Sequence, residues 1–369
     1  MKLQNPLSPK IGTAINDLDT PCLILDMDAV DHNMGVMSDY YQDKDAKLRG
    51  HSKNHKSPAI AHRQINKGGT IGGVCAAKVS EAEVMVHGGI SSVFITSEIV
   101  DASKIERLCN LASQSQILVA CENAVNAQNL SQAATRQGVN LGVVIEVETG
   151  LTRCGIQDIN QGIELAKEIT SLPGLDFQGI MSHQMMERPS SAKEDRVIEG
   201  RQLIQKILDT KSAIESEGIS VDIVSTGETW SYDVAGEIPG VTEVQGGSYL
   251  IMETSYDYMT DFQFAGKILT TIISTPRDGV AVGDAGIKAV GSLKGMPQVD
   301  NRTDLIVEAM EANRALYKIE EGGQVQIGDQ LLLIPAQQDA MVSRWDRFVG
   351  IRNGKVETVW EISARGCHN

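Results

Sequence analysis

Residues 49–56, Arg-Gly-His-Ser-Lys-Asn-His-Lys, hold two lysines and two histidines within six positions. An apolar-periodic segment that predicts a helix follows, so the stretch lies at a strand-to-helix junction. Partial burial and neighbouring cations can lower the pKa of a lysine there, and the free amine can then attack an aldehyde to form a Schiff base. Taken alone, the same residues are also typical of a solvated basic turn.

The chain around this stretch alternates between buried strands and amphipathic helices. Predicted strands lie at residues 70–75, 92–96, 116–121, 141–147, 177–183, 221–226 and 242–249, and predicted helices at 79–87, 102–113, 124–137, 157–169 and 195–217. With the strand that leads to Lys53, these make eight βα units, which indicates a parallel sheet buried on both faces. Eight units over roughly 200–250 residues favour a closed (β/α)₈ barrel, which we predict for residues 27–256.

After residue 256 the pattern changes to short strands with glycine-rich turns and few helices. An Asn353-Gly354 pair predicts a hairpin. We therefore predict an α/β chain in which the barrel is followed by a smaller, mainly β domain at residues 257–369, joined by an N-terminal strand within residues 1–26.

Charge and cysteine content exclude several classes of protein. The net charge of −15 argues against nucleic acid or an anionic membrane as a partner. We find no apolar run of membrane-spanning length and no signal-peptide core. The six cysteines form no CxxC pair, which predicts a reduced, cytoplasmic protein.

The carboxyl ends of barrel strands usually form the active site. The candidate residues beyond Lys53 are Arg153 after the fifth strand, His183 after the sixth, Ser225, Thr226, Gly227 and Thr229 after the seventh, and Gly247, Ser248 and Tyr249 at the eighth. Small loops after the last two strands are the usual phosphate site of this fold. A lysine, an arginine and a phosphate site suggest a phosphorylated aldehyde cofactor, and pyridoxal phosphate fits.

Each of these candidates also has a purely structural interpretation. The glycine-rich loops can be tight turns, Arg153 can form an ion pair with Glu146 or Glu148, and His183 can be a hydrogen-bonded core histidine.

Residues 49–56 resemble the Arg-Pro-His-x-Lys-Thr-His-Lys motif of the D-threonine aldolase and D-serine dehydratase family, with Gly50 and Asn54 as departures. These are pyridoxal-phosphate enzymes of the alanine racemase fold type. The similarity continues at Ala77–Glu83, Gly150–Gly155, Gly247–Tyr249, Asp284–Ala289 and Val359–Gly366.

The resemblance implies roles for individual residues. Lys53 would be the Schiff-base lysine, Arg153 would bind the cofactor's phenolic oxygen, and His183 would lie near the pyridine ring. The loops after the last two strands would hold the phosphate, and His55 is a candidate for acid–base catalysis beside Lys53. The fold type also implies a homodimer.

One departure concerns a metal. Relatives carry Pro-x-His-x-Asp or Pro-x-His-x-Cys near the C-terminus, where the histidine and the acid or thiol bind a divalent ion that holds the substrate's β-hydroxyl. This chain keeps the acid as Asp339 and has Gln337 in place of the histidine. An amide is a poorer ligand for most transition metals, so we expect either weak Mg²⁺ or Mn²⁺ binding or loss of the metal.

Three reactions are consistent with this sequence. The first is aldol-type Cα–Cβ cleavage of a D-β-hydroxy amino acid to glycine and an aldehyde. The second is dehydration to ammonia and a 2-oxo acid, and the third is a racemase reaction, which needs no metal. A non-enzymatic pyridoxal-phosphate carrier is disfavoured because such proteins are typically single barrels.

Overall fold

The computed structural model describes residues 8–185 and 189–369. Residues 1–7 of the predicted N-terminal segment and residues 186–188 of the predicted barrel lie outside the described residues. The chain divides into two compact units. One contains Met1–Met34, Asn54–Ser57 and Ser248–Gly366, and the other contains Gly35–Lys53, Pro58–Gly247 and Cys367–Asn369.

The first strand, β1 (Cys22–Asp26), leads directly into helix α1 (Met27–Tyr41). Strands and helices then alternate: β2 Lys47–His51, α2 Pro58–Lys67, β3 Thr70–Ala76, α3 Val79–His87, β4 Ser92–Glu98, α4 Ala102–Ala112, β5 Gln116–Cys121, α5 Ala124–Gln137, β6 Leu141–Glu146, α6 Ile159–Ser171, β7 Leu175–Met181, α7 Lys193–Ser216, β8 Ile223–Ser225, α8 Tyr232–Ala235 and β9 Glu243–Val244.

Strands β2 to β9 form a closed parallel barrel in sequence order. The barrel closes where β9 pairs with β2, with Lys47 opposite Glu243. Apolar side chains of successive strands, including Cys75, Phe94 and Leu118, pack in one buried cluster. Because the apolar runs are buried on both faces, the strands need flanking helices, as the sequence pattern predicted.

A buried ion pair links the first and last barrel strands. The guanidinium of Arg49 donates to both carboxylate oxygens of Glu243 at 2.8 and 2.6 Å. Both side chains are almost completely buried. The two-point geometry compensates for the loss of hydration that burial imposes on each charge.

Side-chain caps fix where several of the outer helices begin. The carboxylate of Asp101 accepts hydrogen bonds from backbone N–H groups at the start of α4, and Asn123 and Asp158 do the same for α5 and α6. Each cap satisfies N–H groups that have no partner inside the helix. These caps follow the carboxyl ends of barrel strands, so they help to position those ends.

The remaining elements follow the barrel in sequence: β10 Gly266–Arg277, β11 Val280–Gly283, α9 Ile287–Val290, β12 Gln298–Val299, β13 Leu305–Met310, β14 Ala315–Ile319, β15 Gln330–Ile334, α10 Gln338–Val342, β16 Arg347–Arg352 and β17 Lys355–Glu361. They form a nine-stranded sheet with the central order β13-β14-β11-β10-β1-β16-β17, and β15 pairs with both β10 and β12.

The N-terminal strand β1 is an internal strand of this sheet. It pairs antiparallel with β10, Cys22 opposite Leu269, and parallel with β16, Ile24 opposite Val349. The predicted fold class, a (β/α)₈ barrel followed by a mainly β domain, is confirmed. The boundaries predicted from the sequence, 27–256 and 257–369, remain a proposal for how the chain divides.

Candidate active site

Lys53 lies just beyond the carboxyl end of the first barrel strand. Strand β2 ends at His51, and Lys53 is part of a single 3₁₀ turn, Ser52–Asn54. The Lys53 side chain is half-buried. Its backbone N–H donates to Nδ1 of His51 at 3.4 Å. The strand-to-turn transition therefore brings the lysine to the barrel mouth, where the sequence predicted it.

His183 is paired with a carboxylate that the sequence reasoning did not include. Its Nδ1 lies 3.6 Å from Oε1 of Glu228, and its Nε2 lies 3.5 Å from the carbonyl oxygen of Thr96. Burial tends to raise the pKa of Glu228, but the hydrogen bond from His183 and the charges of His183 and Lys53 outweigh it and lower this pKa. Glu228 is thus held as a carboxylate beside His183 and Lys53.

His51 is a second residue of this site that sequence reasoning named only as part of the motif. It is buried, and its Nε2 lies 3.3 Å from the hydroxyl of Thr96. Since the carbonyl of Thr96 also faces His183, one residue at the end of β4 contacts two histidines from β2 and β7. In the sequence, the polar residue Thr96 within an otherwise apolar strand was the available signal for this contact.

In the predicted phosphate loop after β8, the side chains of Ser225 and Thr226 are held by hydrogen bonds to other barrel residues. The Ser225 hydroxyl accepts from the amide of Gln245 at 2.9 Å, and the Thr226 hydroxyl bonds to Ser182 at 2.7 Å and accepts from Gln184 at 2.9 Å. Both hydroxyls are fully buried. Thr229 is also buried at the start of a 3₁₀ turn.

Gly227 follows at φ +89°, and a Cβ there would lie 2.6 Å from the Cβ of Ala235. The position therefore requires glycine, because of both its backbone conformation and the close packing of Ala235. Gly247, also predicted to contact phosphate, is the last residue of this unit before the chain enters the other one.

Arg153 pairs with Glu146, one of the two alternatives considered from the sequence. Its Nη2 lies 3.4 Å from Oε1 of Glu146, and the guanidinium side chain is 48% exposed. Glu146, the last residue of β6, is buried. Burial and the nearby carboxylate of Glu98 raise the pKa of Glu146 to about 8, although Arg153 acts in the opposite direction.

A group of potential metal ligands lies beside this pair and was missed from the sequence. The ligand atoms of Glu98, Glu122 and Cys154 all lie within 4.8 Å of one another. Glu98 ends β4, Glu122 follows β5, and Cys154 lies in the loop after β6. The sequence offered only isolated acids at strand ends, with no spacing pattern to join them.

The other predicted residues belong to the unit that contains the nine-stranded sheet. His55 is fully buried, and its Nδ1 accepts a hydrogen bond from the backbone N–H of Ser57 at 3.1 Å. The carbonyl of Ser248 accepts from the side chain of Gln338 at 3.0 Å. Tyr249 is buried against Phe262, with ring centroids 5.7 Å apart.

The predicted metal residues lie at the start of α10 in the same unit. Gln337 is the N-cap residue, and its buried Oε1 accepts no hydrogen bond from the residues that the structure describes. Asp339 Oδ1 accepts from the N–H of Ala340 at 2.7 Å. Within residues 8–185 and 189–369, no group of three or more His, Cys, Asp or Glu ligands includes Asp339.

Comparison with family models assigns the chain to a family. Residues 25–255 match the model described as alanine racemase, N-terminal domain. The chain belongs to this family. Residues 265–351 match a second model, described as a putative serine dehydratase domain.

Individual relatives cover almost the whole of this alanine racemase-type chain. It is 35% identical to the 3-hydroxy-D-aspartate aldolase of Paracoccus denitrificans (strain Pd 1222), over 96% of this chain and 94% of the relative. It is 32% identical to the D-threonine aldolase of an Arthrobacter species, over 99% and 97%. The crystal structure of D-threonine aldolase from Filomicrobium marinum superposes with a TM-score of 0.94 at 31% identity, covering 98% of this chain and 100% of that one.

These comparisons confirm the resemblance stated from residues 49–56. They also confirm the predicted class, that of pyridoxal-phosphate-dependent lyases of the aldolase type. The individual roles of the site residues stay predictions. In the part of the chain that the structure describes, no helix is both long enough and apolar enough to cross a membrane.

Proposed function

We propose that this chain cleaves the Cα–Cβ bond of a D-configured β-hydroxy amino acid, giving glycine and an aldehyde. The observation that carries the proposal is the placement of Lys53 at the end of the first barrel strand, within the field of the His183–Glu228 pair. Relatives named as aldolases over nearly the full length support the reaction type.

The donor set of the barrel mouth fits pyridoxal phosphate. Lys53 offers an amine for the aldehyde, and the half-exposed Arg153 has N–H donors for the anionic ring oxygen. Gly227, at φ +89°, makes the tight turn with which the loop after β8 begins. We propose that the buried hydroxyls of Ser225 and Thr226 shape this loop and that the backbone from Gly227 onward contacts the phosphate. When bound, the cofactor supplies an electron-withdrawing ring that stabilises the negative charge left at Cα.

We propose that His183 acts together with Glu228 to hold a proton at a defined position. Its Nε2–H donates to the Thr96 carbonyl, so Nδ1 is the atom directed at Glu228. The Glu228 carboxylate accepts the hydrogen bond from His183, so it fixes the orientation of the imidazole at the barrel mouth.

His55 remains the proposed acid–base residue for the β-hydroxyl proton. Its Nδ1 accepts the Ser57 N–H, so a catalytic role would have to use Nε2. The fixed ring orientation agrees with a positioned base, because a rigid turn holds the imidazole.

A divalent ion at Asp339 and Gln337 is also proposed, with Mg²⁺ or Mn²⁺ as the ion. The buried Oε1 of Gln337 has its lone pairs available among the described residues, and amide and carboxylate oxygens suit hard cations. An amide binds more weakly than an imidazole, so we expect the ion to be lost on dialysis and the activity to respond to added Mg²⁺ or Mn²⁺.

Product analysis tests the reaction. Chelator-treated protein loaded with pyridoxal phosphate is given D- and L-β-hydroxy amino acids, with and without Mg²⁺, Mn²⁺ or Zn²⁺. Glycine plus aldehyde from the D substrate is the expected result, with Asp339→Asn abolishing the response to added Mg²⁺ or Mn²⁺. Ammonia plus a 2-oxo acid would replace the proposal with a dehydratase, and accumulation of the enantiomer without metal would replace it with a racemase.

A homodimer and a cytoplasmic location complete the proposal. The dimer is implied by the fold type, and the six free cysteines are compatible with a reducing compartment. Light scattering of the holoenzyme tests the first point, and a monomer would contradict it. Localisation of a tagged chain by fractionation tests the second.

A further inference from the structure

Three barrel strands, β4, β5 and β6, bring acidic side chains together at their carboxyl ends. Glu98, Glu122 and Cys154 have ligand atoms within 4.8 Å of one another, and Glu146 is in hydrogen-bonding range of Glu98. Arg153 contacts Glu146 beside this group and is about half exposed. The group therefore carries more negative than positive charge.

Three features of the backbone hold these side chains close together. A β-bulge between Ile95 and Glu98 shifts the register of β4 against β5, which turns the end of β4. The Glu122 carboxylate accepts the N–H of Gly155, which fixes the loop that carries Cys154. Gly155 has φ +108°, and a Cβ there would lie 2.6 Å from the nitrogen of Glu148, so this close loop return requires glycine.

A buried carboxylate, that of Glu146, lies beside Glu98 of this group. Glu146 is 2% exposed, and its Oε2 accepts no hydrogen bond from the described residues. Oε1 of Glu98 is likewise buried and accepts none from residues 8–185 and 189–369. Two facing carboxylates cannot satisfy each other without a cation or a proton between them, and an unsatisfied buried acceptor is costly.

We propose that Glu98, Glu122 and Cys154 bind one divalent cation of the zinc class, with a water molecule completing the coordination. A thiolate together with carboxylates favours Zn²⁺ over Mg²⁺ or Mn²⁺, which prefer oxygen ligands alone. Tetrahedral Zn²⁺ separates its ligand atoms by roughly 3.3–3.8 Å, so small side-chain rotations bring the observed group to that geometry. Glu146 Oε1 stays available to Arg153.

Such an ion would neutralise the carboxylates beside Arg153 and link the ends of three strands. This site differs in ligands and in compact unit from the one proposed at Asp339, so the two can be tested separately.

The test uses the full-length holoenzyme after chelation, dialysed against Zn²⁺ alone and analysed for bound metal. A parallel titration with Co²⁺ follows the near-ultraviolet thiolate-to-metal band, which reports a cysteine ligand. We expect one Zn²⁺ per chain with a thiolate band, and in Cys154→Ser and Glu98→Gln about a 100-fold or greater loss of affinity.

Matched controls separate this site from others. Cys22→Ser changes a partly buried cysteine of β1, and Asp339→Asn removes the ligand proposed in α10, so both are expected to keep the ion and the band. Circular dichroism checks that each variant folds. Absence of the band from the unmodified chain, or Zn²⁺ affinity unchanged in Cys154→Ser, would overturn the proposal whatever the aldolase assay gives.

Discussion

Glu228 and Glu146 lie in the same barrel, yet their surroundings drive their pKa values in opposite directions. Glu228 faces His183 and Lys53, and its pKa is lowered despite burial. Glu146 faces Glu98, and burial together with that neighbour raises its pKa to about 8 although Arg153 is 3.4 Å away. Burial acts in the same direction on both groups, so the difference comes from the partners.

The barrel therefore has one region with matched charges, at β2, β7, β8 and β9, and one with unmatched acids, at β4, β5 and β6. The matched region contains Lys53, the Arg49–Glu243 pair and the His183–Glu228 pair. Matched groups stabilise a defined geometry, whereas unmatched acids create affinity for a cation or a proton.

The largest expected effect is on catalysis. Lys53→Ala is expected to lower kcat/KM by about 10⁴-fold or more, because the amine proposed to react with the cofactor aldehyde is lost. The absorbance of the lysine-bound cofactor should disappear with it. Lys67→Ala, at the end of α2, is the control and should leave both unchanged. Retention of activity with bound cofactor in Lys53→Ala would refute the covalent role.

The next effect concerns stability in the matched region. Glu243→Ala should lower the free energy of unfolding by about 3–5 kcal/mol, because Arg49 would remain buried without its partner. Urea unfolding followed by fluorescence measures the change. The double variant Arg49→Met with Glu243→Leu should recover most of the loss, and a double variant as unstable as Glu243→Ala would contradict this account.

A smaller effect separates the two regions through pH. Because the folded-state pKa of Glu228 lies below its ordinary value of 4.5, its contribution to stability is present above that pH and is lost as the pH falls through the folded value. Glu228→Gln should cost about 1–3 kcal/mol at pH 7, and this cost should shrink as the pH falls below 4.5. Unfolding curves across this pH range measure the difference.

Glu146→Gln in chelated protein is the matched comparison, since Glu146 faces another acid rather than two cations. It should not lower stability at pH 7. Equal losses in the two variants would remove the contrast between the regions.

The smallest effect tests the caps that position the strand ends. Asn123→Ala should cost about 1 kcal/mol, because the N–H of Asn126 at the start of α5 loses its acceptor. Arg136→Ala breaks an exposed ion pair with Glu106 and should change stability by less than about 0.5 kcal/mol. Thermal unfolding of both variants ranks the two contributions.

The barrel could be predicted because its strands are continuous apolar runs and its helices have a regular apolar face. The helices predicted at 79–87 and 124–137 match α3 and α5 residue for residue. Strands β13 and β14 were not predicted, because the turn between them, around Asn313, lacks the Asn-Gly signal that marks the β16–β17 hairpin.

The site was only partly predictable for a related reason. Lys53, Arg153 and His183 follow predicted strands, and a motif identified them. Glu98, Glu122 and Cys154 come from three different strand ends, and their association depends on register and on a bulge that the sequence pattern does not reveal. Glu228 follows β8 and meets His183 only in the folded barrel.

The internal position of β1 has a consequence for synthesis of the chain. Strand β1 is synthesised first among the described strands, but its neighbours in the sheet are β10 and β16. Ile24, for example, pairs with Val349, which is synthesised more than 300 residues later. During translation both edges of β1 lack their sheet partners while the barrel can already fold. A nascent or truncated chain that ends before β10 would expose two strand edges open to pairing with another molecule, so completion of the sheet protects the newly made protein from aggregation.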